Sequence, residues 1–211
     1  LKEFLPHALP YVVFVALGAA APTLGPWTDA ARVALAVAAL AWFAWRGAYP
    51  ELRPPPTPGA AALGVTAGIA IGAAWVPLSL AVPTIGDRTR TELDPAQSPV
   101  FTTIRIVGMV AVVPFFEELL VRSALPRLVD AKADEDWSAR PVGAFTLVSA
   151  GASIAFFTLT HPEWLAALVT GLVWTALLAR TRNLRAVVIS HAVANAWLAG
   201  HVLASGESRW W

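Results

Sequence analysis

Runs of apolar side chains follow one another from end to end of the chain, separated by short connectors that are polar or rich in proline and glycine. Seven such segments are visible, about Ala8 to Leu24, Ala30 to Trp45, Gly59 to Val82, Val100 to Leu125, Val142 to Thr160, Trp164 to Ala179 and Leu184 to Ala204. Each is close to the roughly 17 to 25 apolar residues that a helix needs to cross a hydrocarbon core. The pattern therefore predicts an all-α, polytopic transmembrane helix bundle of about seven spans, with eight as the alternative count. Gly25-Pro26, the run Arg53-Pro54-Pro55-Pro56, the polar stretch Gly86 to Pro99 and the acidic loop Asp130 to Arg140 are connectors rather than domain linkers. A single membrane domain over residues 1–211 is expected, with N-terminal spans in 1–99 and a core in 100–204. In the third segment Gly64, Gly68 and Gly72 recur every four residues, which predicts close approach of a neighbouring helix backbone.

Composition agrees with a bilayer as the solvent: 57% of the 211 residues are hydrophobic, 14% are charged, and the mean hydropathy is +0.61. A formal net charge of +1 offers nothing to nucleic acid, so lipid is the expected surroundings. The absence of cysteine removes disulfides, thiolate metal sites and a thiol nucleophile. Leu1-Lys2-Glu3-Phe4 lacks a strongly basic lead-in, so the first segment reads as a span rather than a signal peptide.

Basic loops resist translocation, and Lys2, Arg46, Arg53, Arg127, Lys132, Arg140, Arg180, Arg182 and Arg185 share one side. Arg32, Arg88, Arg90 and Arg209 fall on the other, and Arg105 and Arg122 lie inside apolar segments. This asymmetry places the N-terminus in the cytoplasm. Trp27, Trp45, Trp164, Trp210 and Trp211, near segment ends, suit the headgroup belt.

Ionisable groups within apolar segments cost several kcal/mol, so each asks for a partner, a wet cavity or a function. Three clusters stand out. Glu117 and Glu118 are followed by Arg122, and the spacing of Glu118 and Arg122 is the favourable order for an ion pair within a helix. Glu117 lies about 100° round the helix, without that partner. Phe157 and His161 share a helical face, as do His191 and Asn195. Taken singly, these read as an interfacial salt bridge, an interfacial histidine and a polar pair joining two helices. Together, a carboxylate, two imidazoles and an amide are the parts that activate water, move protons and hold an oxyanion in amide hydrolysis. A small proton-coupled transporter and a catalytically idle membrane scaffold are the competing classes.

The motifs EExxxR at Glu117 to Arg122, FxxxH at Phe157 to His161 and HxxxN at His191 to Asn195 resemble, in order and spacing, the CAAX protease and bacteriocin-processing family of intramembrane proteases. Thr181-Arg182-Asn183-Leu184 resembles the family's turn into the last motif helix, and the likeness covers residues 100–204. The first three segments also resemble those of bacterial relatives found near exosortase protein-sorting systems, which implies a bacterial inner membrane. The resemblance implies an endopeptidase that cuts a hydrophobic or lipidated protein or peptide substrate in a membrane-embedded cavity. In that picture Glu117 with His161 activates water, His191 and Asn195 stabilise the oxyanion, and Glu118, Arg122 and Phe157 support the site. A metalloprotease variant, with zinc on Glu117, His161 and His191, is the less favoured alternative, because Asn195 is a poor zinc ligand but a good oxyanion donor.

One conflict arises within this picture. If the segments are straight spans, His161 lies at the outer end of the fifth and His191 about two turns in from the inner end of the seventh. Across a hydrocarbon core of about 30 Å they would not share a substrate. Either the fifth and sixth segments turn back within the membrane or their boundaries differ, and Pro114 and Pro162 are the expected breaks.

Overall fold

A computed structural model describes residues 3–25, 27–86, 98–207 and 210. Lys2, Arg88, Arg90, Arg209, Trp211 and most of the polar stretch from Gly86 to Pro99 lie outside the described residues. Among those described there is no strand, and seven helical rods form the molecule. They are α1 (Leu5–Leu24), α2 (Trp27–Trp45), α3 (Pro58–Ala81), α4 (from Pro99 to Asp130), α5 (Leu147–Leu159), α6 (Trp164–Thr181) and α7 (Leu184–Ser205). The expected all-α membrane bundle is what forms. Helices α2, α3, α6 and α7 are each long and apolar enough to cross a membrane. Large apolar side chains face outward, with Leu147 93%, Leu159 82% and Trp45 75% exposed, as a bundle solvated by lipid requires.

Helix starts follow local side-chain chemistry. Thr57, Thr146 and Asn183 each accept a hydrogen bond from the backbone N–H three residues on, and Ser149 returns the bond to Thr146 to complete a capping box. At Thr181-Arg182-Asn183-Leu184 the chain reverses in a very short turn: Arg182 adopts a left-handed conformation (φ 52°) and Asn183 caps α7.

Helix α4 is built differently. Its α-helical pieces Pro99–Val107, Val113–Glu117 and Leu125–Asp130 are joined by π-helical turns at Gly108–Val112 and Glu118–Ala124. Pro114 and Pro126 each stand at the start of the piece after a π turn. A proline has no N–H for the carbonyl four residues back, and the preceding turn widens to absorb that loss. Carbonyls in and beside these turns are taken up from outside: Val121 O accepts from Ser153 Oγ (2.7 Å) and Met109 O from Asn195 Nδ2 (2.8 Å).

Connectors gather at two ends of the bundle. At one end the α2–α3 loop carries Glu51, whose Oε1 accepts from His7 Nε2 (2.8 Å), Ser123 Oγ (2.6 Å) and Arg127 Nη2 (2.9 Å). Burial pushes the Glu51 carboxyl up, but the hydrogen bonds from His7 and Ser123 outweigh it and hold the group down at about 2. Asn183 Nδ2 donates to Pro54 O at the same end (3.2 Å). At the other end Trp164 Nε1 donates to Pro83 O (3.1 Å) and the Ile85 N–H to Pro162 O (3.0 Å).

Helix α5 settles the placement of the two histidines. The fifth apolar segment was expected from Val142 to Thr160, but the helix begins at Leu147 and has 13 residues. At 1.5 Å per residue that is about 20 Å, well short of a span. The chain turns back at Thr160-His161-Pro162-Glu163, and His161 lines the same cavity as His191.

Close packing of α3 on α7 holds the other half of the site. A side chain built on Gly64 would meet Ala186 O at 2.5 Å, one on Gly68 would meet Ser190 O at 2.5 Å, and one on Gly72 would meet Trp197 Cβ at 2.6 Å. The four-residue glycine spacing therefore does bring α7's backbone against α3, as expected. Gly68→Ala is predicted to lower stability by about 1–3 kcal/mol through overpacking. Gly151→Ala, where nothing lies within 4 Å, should leave stability unchanged or raise it by up to about 1 kcal/mol. Thermal melting of the two variants in detergent checks this, and equal losses would contradict the packing account.

Candidate functional site

The second π turn of α4 places two adjacent acids in different surroundings. Glu118 and Arg122 are both fully buried, with Glu118 Oε2 3.8 Å from Arg122 Nε. His191 Nδ1 on α7 donates to Glu118 Oε1 at 2.9 Å. The Arg122 guanidinium has no hydrogen-bond acceptor among the described residues and lies over Phe157 (4.7 Å) and Trp174 (5.8 Å) instead. Such cation–π contacts strengthen where water is excluded. Glu118 thus pairs with Arg122 as its spacing predicts, and it also holds the histidine.

Glu117 faces elsewhere. Its Oε2 is buried without a hydrogen-bond partner among the described residues and lies 3.9 Å from His191 Nε2. The bond from Nδ1 to Glu118 leaves Nε2 as the working nitrogen of His191. The ring is fixed further by Trp174, whose plane lies 31° from it at a centroid distance of 4.3 Å and whose Nε1 donates to Ser190 Oγ (2.9 Å).

His161 is held in a similar way from the opposite wall. Its Nδ1 donates to Phe157 O (2.7 Å), its ring packs on the Phe157 ring at 4.3 Å, and Trp75 meets it edge-on at 5.9 Å. In His161 this leaves Nε2 facing away from Phe157 O. Asn195, one turn past His191, donates from Nδ2 to the Met109 carbonyl, so one of its two amide hydrogens is committed to the first π turn of α4.

Glu117, His161, His191 and Asn195 line one cavity of about 150 Å³. The structure brings all four together. Glu118 and Arg122 stand behind them in the protein interior, and Phe157 lies between Arg122 and His161. Among the described residues no group of three or more His, Asp or Glu side chains is placed to hold a metal ion.

Several residues of the site were not anticipated. Trp210, expected as a headgroup anchor, is instead buried and lines the cavity, as do Trp75 and Trp174. Trp174 stands in mid-segment rather than at an end, which was the available signal. Glu163, directly after Pro162, is a further buried acid in the cavity wall. Trp27 and Trp45, by contrast, are 67% and 75% exposed, as belt residues should be.

Residues 99–197 match the family model described as Type II CAAX prenyl endopeptidase Rce1-like. Comparisons with curated proteins and with solved structures gave no match. The matched region runs from the start of α4 to two residues beyond Asn195, and so contains all three motifs and every candidate site residue. Through this segment the chain, an integral membrane protein, is similar to the Rce1-like CAAX prenyl endopeptidase family.

Proposed function

We propose that the chain is an intramembrane endopeptidase that hydrolyses a peptide bond of a hydrophobic or lipidated protein substrate, and that the cavity of Glu117, His161, His191 and Asn195 is its active site. The observation that carries this is the unpartnered Glu117 oxygen beside His191 Nε2 in a cavity shared with His161. In the proposed reaction Glu117, with His161, takes a proton from water, and the oxygen attacks the scissile carbonyl. The carbonyl becomes an oxyanion held by the second amide hydrogen of Asn195 and by His191, which in this step carries a proton on each ring nitrogen and donates from Nε2 while Nδ1–H stays on Glu118. Collapse breaks the C–N bond, and the proton taken from water passes to the leaving amine. Glu118 keeps the His191 ring aimed, and Arg122 balances the charge of Glu118. No step runs through a metal.

Residues 1–211 act in this proposal as one membrane domain, with 100–204 as the catalytic core. Its place in this proposal is a bacterial inner membrane, as the resemblance to bacterial relatives implies, and the basic-residue asymmetry supports an N-terminus in the cytoplasm.

Four outcomes are expected. Incubated with a membrane proteome, the purified protein should generate new peptide ends that are missing with Glu117→Gln. An identical set of ends from the two would remove the protease assignment. Asn195→Ala should lower turnover by roughly 10²-fold to 10³-fold with little change in substrate binding, as loss of one oxyanion donor does. Zinc analysis of active protein should find less than one metal per chain; one zinc in the wild type and none in His191→Ala would replace the glutamate mechanism with a metalloprotease one. For orientation, a single cysteine at Ser138 should resist an impermeant thiol reagent on intact cells. Labelling there would invert the topology.

A further inference from the structure

Arg105 is a cation inside an apolar segment with no acid at helical spacing. Its partner is Asp29, on α2. Arg105 Nη1 lies 3.0 Å from Asp29 Oδ2, and Arg32 Nη2 lies 2.7 Å from Asp29 Oδ1. Two guanidiniums therefore share one carboxylate, and among the described residues no other acid pairs with either. The group carries a formal charge of one positive unit.

Such a surplus is costly beside lipid unless an anion completes it. The three side chains keep 18%, 14% and 11% of their surface, for Arg32, Arg105 and Asp29 respectively, so the cluster is reachable from outside while most of it is walled by protein. Arg32 is held in place by Phe14, whose ring lies 4.5 Å below its guanidinium, and its Nε is buried without an acceptor. Each guanidinium has five N–H donors in a flat fork, far more than one aspartate can accept.

The surroundings indicate depth. Trp27 and Phe101 meet edge to face at 4.9 Å beside the cluster, and Leu24, Trp27 and Val100 are 64%, 67% and 61% exposed. An exposed tryptophan packed on a half-buried phenylalanine, between apolar side chains and a loop, marks the headgroup level. The anion abundant at that level is the phosphodiester of a phospholipid, and paired guanidiniums match its oxygens in geometry and charge.

We infer that Arg32 and Arg105, spaced by Asp29, form a binding site for the phosphate of a membrane phospholipid on the outer wall between α2 and α4. The site is separate from the proposed active site and does not depend on it. It differs from a simple ion-pair staple in its charge: a staple needs one arginine, and the second is there for the ligand.

The test uses the full chain purified in a maltoside detergent, which has no phosphate. Its melting temperature is measured alone and with phosphatidylglycerol, with diacylglycerol of the same acyl chains, or with inorganic phosphate. Phosphatidylglycerol at about a hundredfold excess over its dissociation constant should raise it by about 5 °C. Diacylglycerol and inorganic phosphate should not. Arg105→Gln leaves Asp29 in a one-to-one pair with Arg32, and Arg32→Gln leaves it paired with Arg105. Either variant should fold and lose the increment, so the second serves if the first is unstable. An equal rise with diacylglycerol would reduce the effect to acyl chains, and an equal rise with inorganic phosphate would make this a free-anion site. An increment retained in both variants, or none in the wild type, would also overturn the inference.

Discussion

A charged arginine with no access to water is the constraint around which the interior is arranged. Arg122 is fully buried, and a buried guanidinium is tolerable only with a counter-charge and further polar contacts. Glu118 supplies the charge at 3.8 Å, and Phe157 and Trp174 supply aromatic faces in place of hydrogen-bond acceptors. These partners come from α4, α5 and α6, so satisfying one side chain fixes three helices relative to one another. His191 joins from α7 by donating to the same glutamate. The candidate catalytic groups are thus set in place by a neighbour that takes no part in the proposed chemistry.

The prolines of α4 make this possible. In an uninterrupted α-helix every interior carbonyl is already taken by its own helix, which leaves it less open to a neighbour. Pro114 and Pro126 break that pattern, and the π turns before them leave carbonyls for Asn195 and Ser153 to reach. The same turns determine which way Glu117 and Glu118 face. Function and irregular backbone coincide in α4 because a regular rod presents side chains but not main-chain acceptors. Irregular backbone of this kind is tolerable at membrane depth only where protein surrounds it.

Much of this could be read beforehand where a signal was local or periodic. The seven apolar segments became seven rods, the glycines of α3 met the backbone of α7, and Glu118 paired with Arg122 at the expected spacing. What could not be read depended on lengths and on partners distant in sequence. Val142 to Phe145 are apolar enough to extend the fifth segment, yet Thr146 and Ser149 cap the helix after them, and the shortened α5 ends just before His161 in the cavity wall. Asp29 and Arg105 are 76 residues apart, and Glu51 and Ser123 are 72 apart; no spacing rule connects such pairs. Tryptophans misled for a different reason. An indole suits both a membrane interface and a buried cavity wall, and position in a segment separates the two only for a residue such as Trp174, far from either end.

The division of labour between the adjacent acids is the centre of the account, and comparing Glu117→Gln with Glu118→Ala tests it most directly. Peptidase activity and melting temperature would be measured on both in the same detergent. Glu117→Gln should abolish turnover while melting close to the wild type, because the Glu117 oxygen beside His191 has no hydrogen bond to lose among the described residues. Glu118→Ala should remove the counter-charge of Arg122 and cost stability by about 3–5 kcal/mol, the penalty typical of a broken buried pair. Equal melting losses in the two variants, or undiminished turnover in Glu117→Gln, would contradict it.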